Sequence, residues 1–431
     1  MEMTARIETL IRKGVSIPNP LSVYLDETVD LDRISGNGTI IYPGCKLLGK
    51  TTLISERVKL GGEGPATVED CLLGPGVELK GGYFRKAVFL EKAVVGSGAQ
   101  VREGTILEEY AGAAHTVGLK QTILFPFATL GSLINFCDCL LAGGTGPKRH
   151  SEVGSSFIHF NFTPNQDKAT PSLFGDVPRG VMLNQDPIFL GGQGGVVGPC
   201  RLAFGTVSAA GTIVRKDEHK PGNLIFGGMG RGGSVPYSGG GFPSIQRTLV
   251  NNLIYIANLT ALMHWYRQVR SLFISESFSA ELWNGLVSTL QMGWEERIKQ
   301  LQVLRDKVSA ALDGFRIPDQ EPERKSDQPG DSFLLIRQQR AFVENWTELK
   351  EILRNSWDHA ENQASSEPFL ECVRKGIQCH GRQYLQVIQQ LPPEEAAMGV
   401  KWLQAVIDRL TDRMAMLLPG FHFSPQPIEH S

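Results

Sequence analysis

Arg102 and Lys120 are the side chains whose types and spacing first suggest chemistry. They stand eighteen residues apart in a stretch, 95–217, where an aliphatic residue keeps returning at the sixth position. The pattern is plain in Val95-Gly96-Ser97-Gly98-Ala99-Gln100, Val101-Arg102-Glu103-Gly104-Thr105-Ile106 and Leu107-Glu108-Glu109-Tyr110-Ala111-Gly112. If three such hexads make one coil, a residue eighteen positions on lies directly above its predecessor, roughly 4.8 Å away. Two cations stacked at that spacing on an outer face repel each other unless an anion sits between them, and a phosphate suits both. The other reading is that each pairs with a nearby carboxylate, such as Glu103 or Glu108.

The element that must position them is a parallel β-helix built of hexapeptide repeats, in which each coil buries its inward aliphatic side chains only against its neighbours in the stack. The predicted order begins with a helix and lead-in segment over 1–30, where Pro18 and Pro20 keep the chain extended. The β-helix follows over 31–217, with loops thrown out at 143–150 and 163–187. The second loop carries four prolines, and both read equally as functional loops or as trim for a subunit interface. A Gly-rich linker spans 218–243. Within it Gly228-Met229-Gly230-Arg231-Gly232-Gly233 matches a dinucleotide fingerprint in form but lacks the strand and helix that motif needs. Over 244–420 the apolar spacing changes to three and four, as in Leu249, Leu253, Ile256, Leu259 and Leu262, which predicts an all-α domain of four or five long helices. Residues 421–431 form a tail. All six tryptophans fall in the helical part, as packing residues rather than a ligand box.

Charge is nearly balanced, 43 basic against 45 acidic residues, which argues against a nucleic-acid partner held by phosphate neutralisation. The seven cysteines are scattered and read as reduced thiols of a cytoplasmic protein with no signal peptide. Cys137-Asp138-Cys139 has neither the gap nor the second pair of a zinc site, so no metal is expected, and both thiols are expected inside the coil. The longest apolar run, 249–262, is broken by Asn251, Asn252 and Asn258, so no membrane span is expected.

With these residues in view, 10–217 resembles the acetyltransferase half of the bacterial bifunctional enzyme family that makes UDP-N-acetylglucosamine. The likeness rests on Leu10-Ile11-Arg12-Lys13-Gly14-Val15, Val101-Arg102-Glu103-Gly104, Gly118-Leu119-Lys120, Phe160-Asn161-Phe162, 189–199 and Ser208-Ala209-Ala210-Gly211-Thr212, in that order. The resemblance implies a left-handed β-helix, a homotrimer with sites between neighbouring subunits, and a sugar phosphate or nucleotide sugar as substrate. Arg102 and Lys120 would then hold the phosphate. Asn161 and Phe162 would line the amino-sugar site, with Asn135 and Lys168 near the positions of two further substrate residues. Gly192 and Ala210 would lie along acetyl-CoA or another acyl-CoA, where small residues leave room for the pantetheine.

The chain departs from that family at the point of catalysis. The family's histidine base is here Ser132, in Gly131-Ser132-Leu133, and its tyrosine three residues on is Asn135. Without an imidazole the sugar ammonium loses its obvious proton acceptor. His115, His150 and His159 lie in the region, and His159, two before Asn161, is the one whose position best suits a substitute; the alternative is a structural histidine. No nucleotidyltransferase half is recognisable, so sugar-nucleotide synthesis is not expected. Two functions follow: an acyl-CoA-dependent N-acyltransferase or binder of sugar phosphates and nucleotide sugars, or a catalytically inactive trimeric scaffold whose helical domain meets a protein partner.

Overall fold

Short strands return to the same three faces, coil after coil, in a computed structural model that describes residues 5–227, 242, 244–314, 331–357 and 363–423. The result is a left-handed parallel β-helix of about eleven coils, followed by a helical region. Two faces carry ten strands each and the third carries eight, and every pairing between coils is parallel. Inward residues such as Leu73, Phe89, Leu107, Leu124 and Leu141 are fully buried and stack along the axis.

Coil length varies. Val101 pairs with Leu119 across eighteen residues, but Gly118 pairs with Asn135 across seventeen, and Phe84 with Val101 likewise. Shortened corners turn on residues held at positive φ, including Lys86, Gln121 and Asp138. Asp138 at such a corner also separates Cys137 from Cys139. Cys139 is buried, whereas Cys137 is half-exposed with its thiol on the Asn135 side-chain carbonyl at 3.2 Å, so the two do not share the interior.

The 143–150 excursion is a small antiparallel hairpin, Gly144–Gly146 against Arg149–His150. The 163–187 segment is not one loop. Ser172–Phe174 returns to the third face between Cys139–Leu141 and Arg201–Leu202, because Leu173 and Phe174 supply one apolar side chain to each side of the strand. Parallel pairing also continues past residue 217, with Leu224–Ile225 on Val207–Ser208. The Gly-rich motif at 228–233 lies outside the described residues.

The helices are α1 (Ala5–Arg12), α2 (Val177–Gly180), α3 (Gln246–His264), α4 (Ala280–Gly314), α5 (Asp331–Glu344), α6 (Trp346–Asn355), α7 (Gln363–His380), α8 (Tyr384–Gln389) and α9 (Pro393–Leu417). Short breaks part α5 from α6 and α7 from α8. The first falls at Asn345, and the second at Gly381, whose φ of 67° ends α7. The chain leaves α3 through a π-helical turn, Trp265–Val269, and a 3-10 turn, Arg270–Phe273.

This helical region covers the third face of the β-helix. Strands there carry adjacent apolar residues, Val88-Phe89, Ile106-Leu107, Ile123-Leu124 and Leu140-Leu141, so one side chain enters the coil and its neighbour meets the helices. Strands buried on both sides read as continuous apolar runs for this reason. α3 lies in the middle and is buried on all sides from Leu249 to His264. α4 runs up the stack. Gly285 lies against Leu72, where a Cβ would come within 2.8 Å of a Leu72 methyl. Further along α4, Arg297 reaches Asp138, four coils higher. Twelve residues of helix rise about 18 Å, and four coils about 19 Å, so roughly one helical turn meets each coil.

Candidate functional site

The outer side of one face gathers nearly all the residues singled out by sequence. Its strands include Ala99–Val101, Val117–Leu119, Ile134–Asn135, Ile158–Phe160 and Gly195–Val197. Where these strands end, Arg102 and Lys120 follow the register of Val101 on Leu119, one directly above the other, both exposed. Lys120 Nζ is 2.9 Å from Glu103 Oε1, and that hydrogen bond holds the ammonium above its ordinary pKa against desolvation. Arg102 makes no ion pair among the described residues. It donates to Gln100 Oε1 at 3.2 Å and lies over the Tyr83 ring, 4.9 Å from its centroid. The carboxylate reading therefore holds for Lys120 alone. Glu108 is not a partner to either cation: it is buried and accepts from the Tyr266 hydroxyl at 2.5 Å.

Asn161 continues the same edge two coils above Lys120, since Asn135 pairs with Ile158, and its amide donates to Asp138 Oδ2 at 3.1 Å. Phe162 is 73% exposed, and Lys168 is exposed in the loop beyond it. Asn135 stands in the middle of the face, pointing outward.

The opposite edge, where the strands begin, is a column of small residues. Backbone N–H groups of Leu133, Ser156, Gln193 and Gly211 donate to the carbonyls of His115, Ser132, Ser155 and Gly192 in turn. Ser132 thus stacks between His115 and Ser155, with its hydroxyl 3.2 Å from that of Ser155, and Gly192 and Ala210 extend the column. Ser132, Gly192 and Ala210 were named from the sequence and Ser155 was not, because the 143–150 hairpin and the 163–187 segment make the spacing of this column uneven, whereas His115 stands one seventeen-residue coil below Ser132. The two edges are five residues apart along a strand, roughly 16 Å.

His159 is elsewhere. The alternation of Ile158–Phe160 turns its ring into the coil, where it is 1% exposed and edge-on to Phe136. Its Nε2 lies 2.7 Å from Ser172 Oγ, and burial lowers its pKa to about 4. A ring so enclosed has no path to a substrate on the outer face. Among the described residues no group of His, Cys, Asp and Glu side chains could hold a metal ion, and no helix is long and apolar enough to cross a membrane.

Comparison with known proteins finds the same half of the chain. Its likeness is to bifunctional protein GlmU of Thermotoga maritima, 27% identical over 213 residues, 49% of this chain and 42% of that protein. Over its β-helix the chain is GlmU-like. The GlmU of Mycolicibacterium vanbaalenii is 29% identical over 206 residues, 48% of this chain and 37% of the relative. That of Nocardia farcinica is 28% identical over 222 residues, 52% and 40%. The chain spans less than half the length of these GlmU proteins, and no family model matches it.

A second set of ionic contacts, invisible in sequence, fixes the helical region to the coils. Arg270, 1% exposed, donates to Glu109, and Arg297 Nη2 lies 2.8 Å from Asp138 Oδ1. The asparagines that interrupt the apolar run of α3 face the irregular backbone of the β-helix. Asn252 donates to the Ala169 carbonyl at 2.8 Å, Asn251 to Asp217, and Asn258 Oδ1 accepts from the Val177 N–H at 3.0 Å.

Proposed function

We propose that the β-helix binds a sugar phosphate or nucleotide sugar at the Arg102–Lys120 edge and an acyl-CoA along the small-residue column, in a homotrimer. The observation that carries this is the in-register pair of exposed cations, of which Arg102 has no carboxylate partner among the described residues. A phosphate between them would relieve their repulsion and compete with Glu103 for Lys120. Asn161 and Phe162 would line the sugar, Asn135 would face it from mid-strand, and Lys168 would add a third cation.

The roughly 16 Å between the two edges bears on assembly. An acyl thioester beside Ser132, Gly192 and Ala210 cannot reach a sugar held at Arg102 of the same chain. A neighbouring copy could set its small-residue edge against this cationic edge. Leu133, Ile158, Phe160 and Phe189 are exposed apolar side chains on the two faces left free by the helices, which favours such packing. In this arrangement Ser132 is too weak a base to deprotonate an ammonium. His115, directly below it in the column and exposed, is the imidazole within reach of the thioester edge.

The test is a thermal-shift screen of the chain with glucosamine 1-phosphate, UDP-N-acetylglucosamine and acetyl-CoA. A ligand at about 100 times its Kd adds about 2.7 kcal/mol to the native state. A shift with a sugar ligand that is lost in Arg102→Ala/Lys120→Ala supports the phosphate edge, and a shift with acetyl-CoA supports acyl transfer. A flat screen overturns the reading in favour of a second one: an inactive trimeric scaffold that presents its helical region to a protein partner. Ser132 at the family's histidine position is the observation that favours this alternative.

A further inference from the structure

A cleft of about 610 Å³ opens within the helical region, between α4, α6 and the π-helical turn. None of its lining residues belongs to the β-helix. Its volume is within the range of small-molecule sites. Four cations line it: Arg267, Lys299, Lys350 and Arg354. One carboxylate, Glu295, shares the lining, and it already accepts from the Gln291 amide at 3.0 Å. Neither Lys350 nor Arg354 makes an ion pair among the described residues, and the contact of Lys299 with Glu296 is long, 3.8 Å. Lys350 and Arg354 thus bring positive charge to a concave site, which raises the local concentration of the opposite charge.

The aromatic part of the cleft is independent of its charge. Trp294 and Trp357 meet edge to face, with ring centroids 4.6 Å apart, and Arg267 lies over the Trp357 ring at 5.5 Å. Trp294 is 5% exposed, and neither its indole N–H nor the buried one of Trp357 has a hydrogen-bond partner among the described residues. Arg267 is carried by the five-residue π-helical turn Trp265–Val269. Turns of this kind are rare and concentrate at functional sites.

We propose that this cleft binds a nucleoside phosphate. Lys350, Arg354 and Lys299 would take the phosphates. The Trp357 indole and the Arg267 guanidinium over it would take the planar base. A bare anion would leave the tryptophans unexplained, and a neutral aromatic ligand would leave the cations unexplained.

The experiment is a fluorescence titration of the full chain with N-methylanthraniloyl-ADP, following energy transfer from tryptophan. Saturable binding is expected. It should weaken by about tenfold or more in Lys350→Glu/Arg354→Glu, with Lys350→Ala/Arg354→Ala as the milder pair and folding checked by the thermal melt. ADP should displace the probe far better than inorganic phosphate or ribose 5-phosphate. Arg102→Ala/Lys120→Ala should bind as the wild type does, which keeps this result separate from any outcome at the β-helix. No saturable signal, unchanged affinity in folded variants of the cleft, or equal competition by phosphate alone would each overturn the proposal. Loss of binding in the β-helix variant would do the same.

Discussion

Glu108 and His159 are both buried, and they respond to pH in opposite senses. Burial raises the Glu108 carboxyl from 4.5 to about 7, with the adjacent Glu109 adding to the shift and Arg270 opposing it. The folded state therefore holds that proton more tightly than the unfolded chain. The stability this lends is complete below about pH 4.5 and gone above about pH 7. His159 runs the other way: its stabilisation is complete above pH 6.5 and is lost as the pH falls to about 4. Between pH 4.5 and 6.5 the two slopes offset each other. Glu108→Gln should uncover a rise in stability with pH, and His159→Gln a fall, each by up to about 1.4 kcal/mol per pH unit. Urea unfolding of both variants at pH 5, 6 and 7 tests this, and curves parallel to the wild type would refute it. Asp138 carries a different kind of burden, because it neutralises Arg297, whose side chain is 4% exposed. Asp138→Ala should cost about 3–5 kcal/mol, since the guanidinium is left as an uncompensated buried charge, and a loss below 1 kcal/mol would show that Arg297 finds water.

At the scale of elements, the asparagines of α3 matter more than its leucines for where the helix docks. Asn258→Leu keeps the helix but strips the acceptor from the Val177 N–H, which is fully buried. A loss of about 1–3 kcal/mol is expected, read as a lowered unfolding midpoint. Asn251 and Asn252 belong to the same class, and their types in sequence gave no hint of it beyond interrupting an apolar run. The coils themselves were legible, because the return of an aliphatic side chain at the sixth position is imposed locally by each corner. The vertical alignment of Arg102 over Lys120 followed from the same count. What could not be counted were coils of seventeen residues, the inserted hairpin and the return of Ser172–Phe174, all of which shift register by amounts that only packing decides. The inward turn of His159 is one such case: its distance from Asn161 was visible, its side of the strand was not. One signal lay unread. Adjacent apolar residues at 88–89, 106–107, 123–124 and 140–141 mark a face covered on its outer side.

At the scale of the molecule, that covered face makes the helical region part of the fold rather than an attachment to it. Leu72, Val88, Ile106, Ile123, Leu140 and Leu173 would all face water without it. Expression of residues 1–227 alone should give an aggregating product that binds a hydrophobic dye, and a soluble, well-ordered fragment would contradict the packing described above. The homotrimer proposed here predicts light scattering at three times 47.3 kDa, and a monomer at micromolar concentration would leave the two edges without a counterpart.

The long helix that climbs the stack has a consequence for how the molecule comes apart. A bare solenoid is held by nearest-neighbour contacts, so it can fray from its ends one repeat at a time. Here α4 touches the coil of Leu72 at one point and that of Asp138 at another, and Lys307, farther along, donates to the Asn165 carbonyl. Loosening any coil in between therefore strains a rod that its neighbours still grip. The stack behaves like a book with a spine, and its pages should leave together.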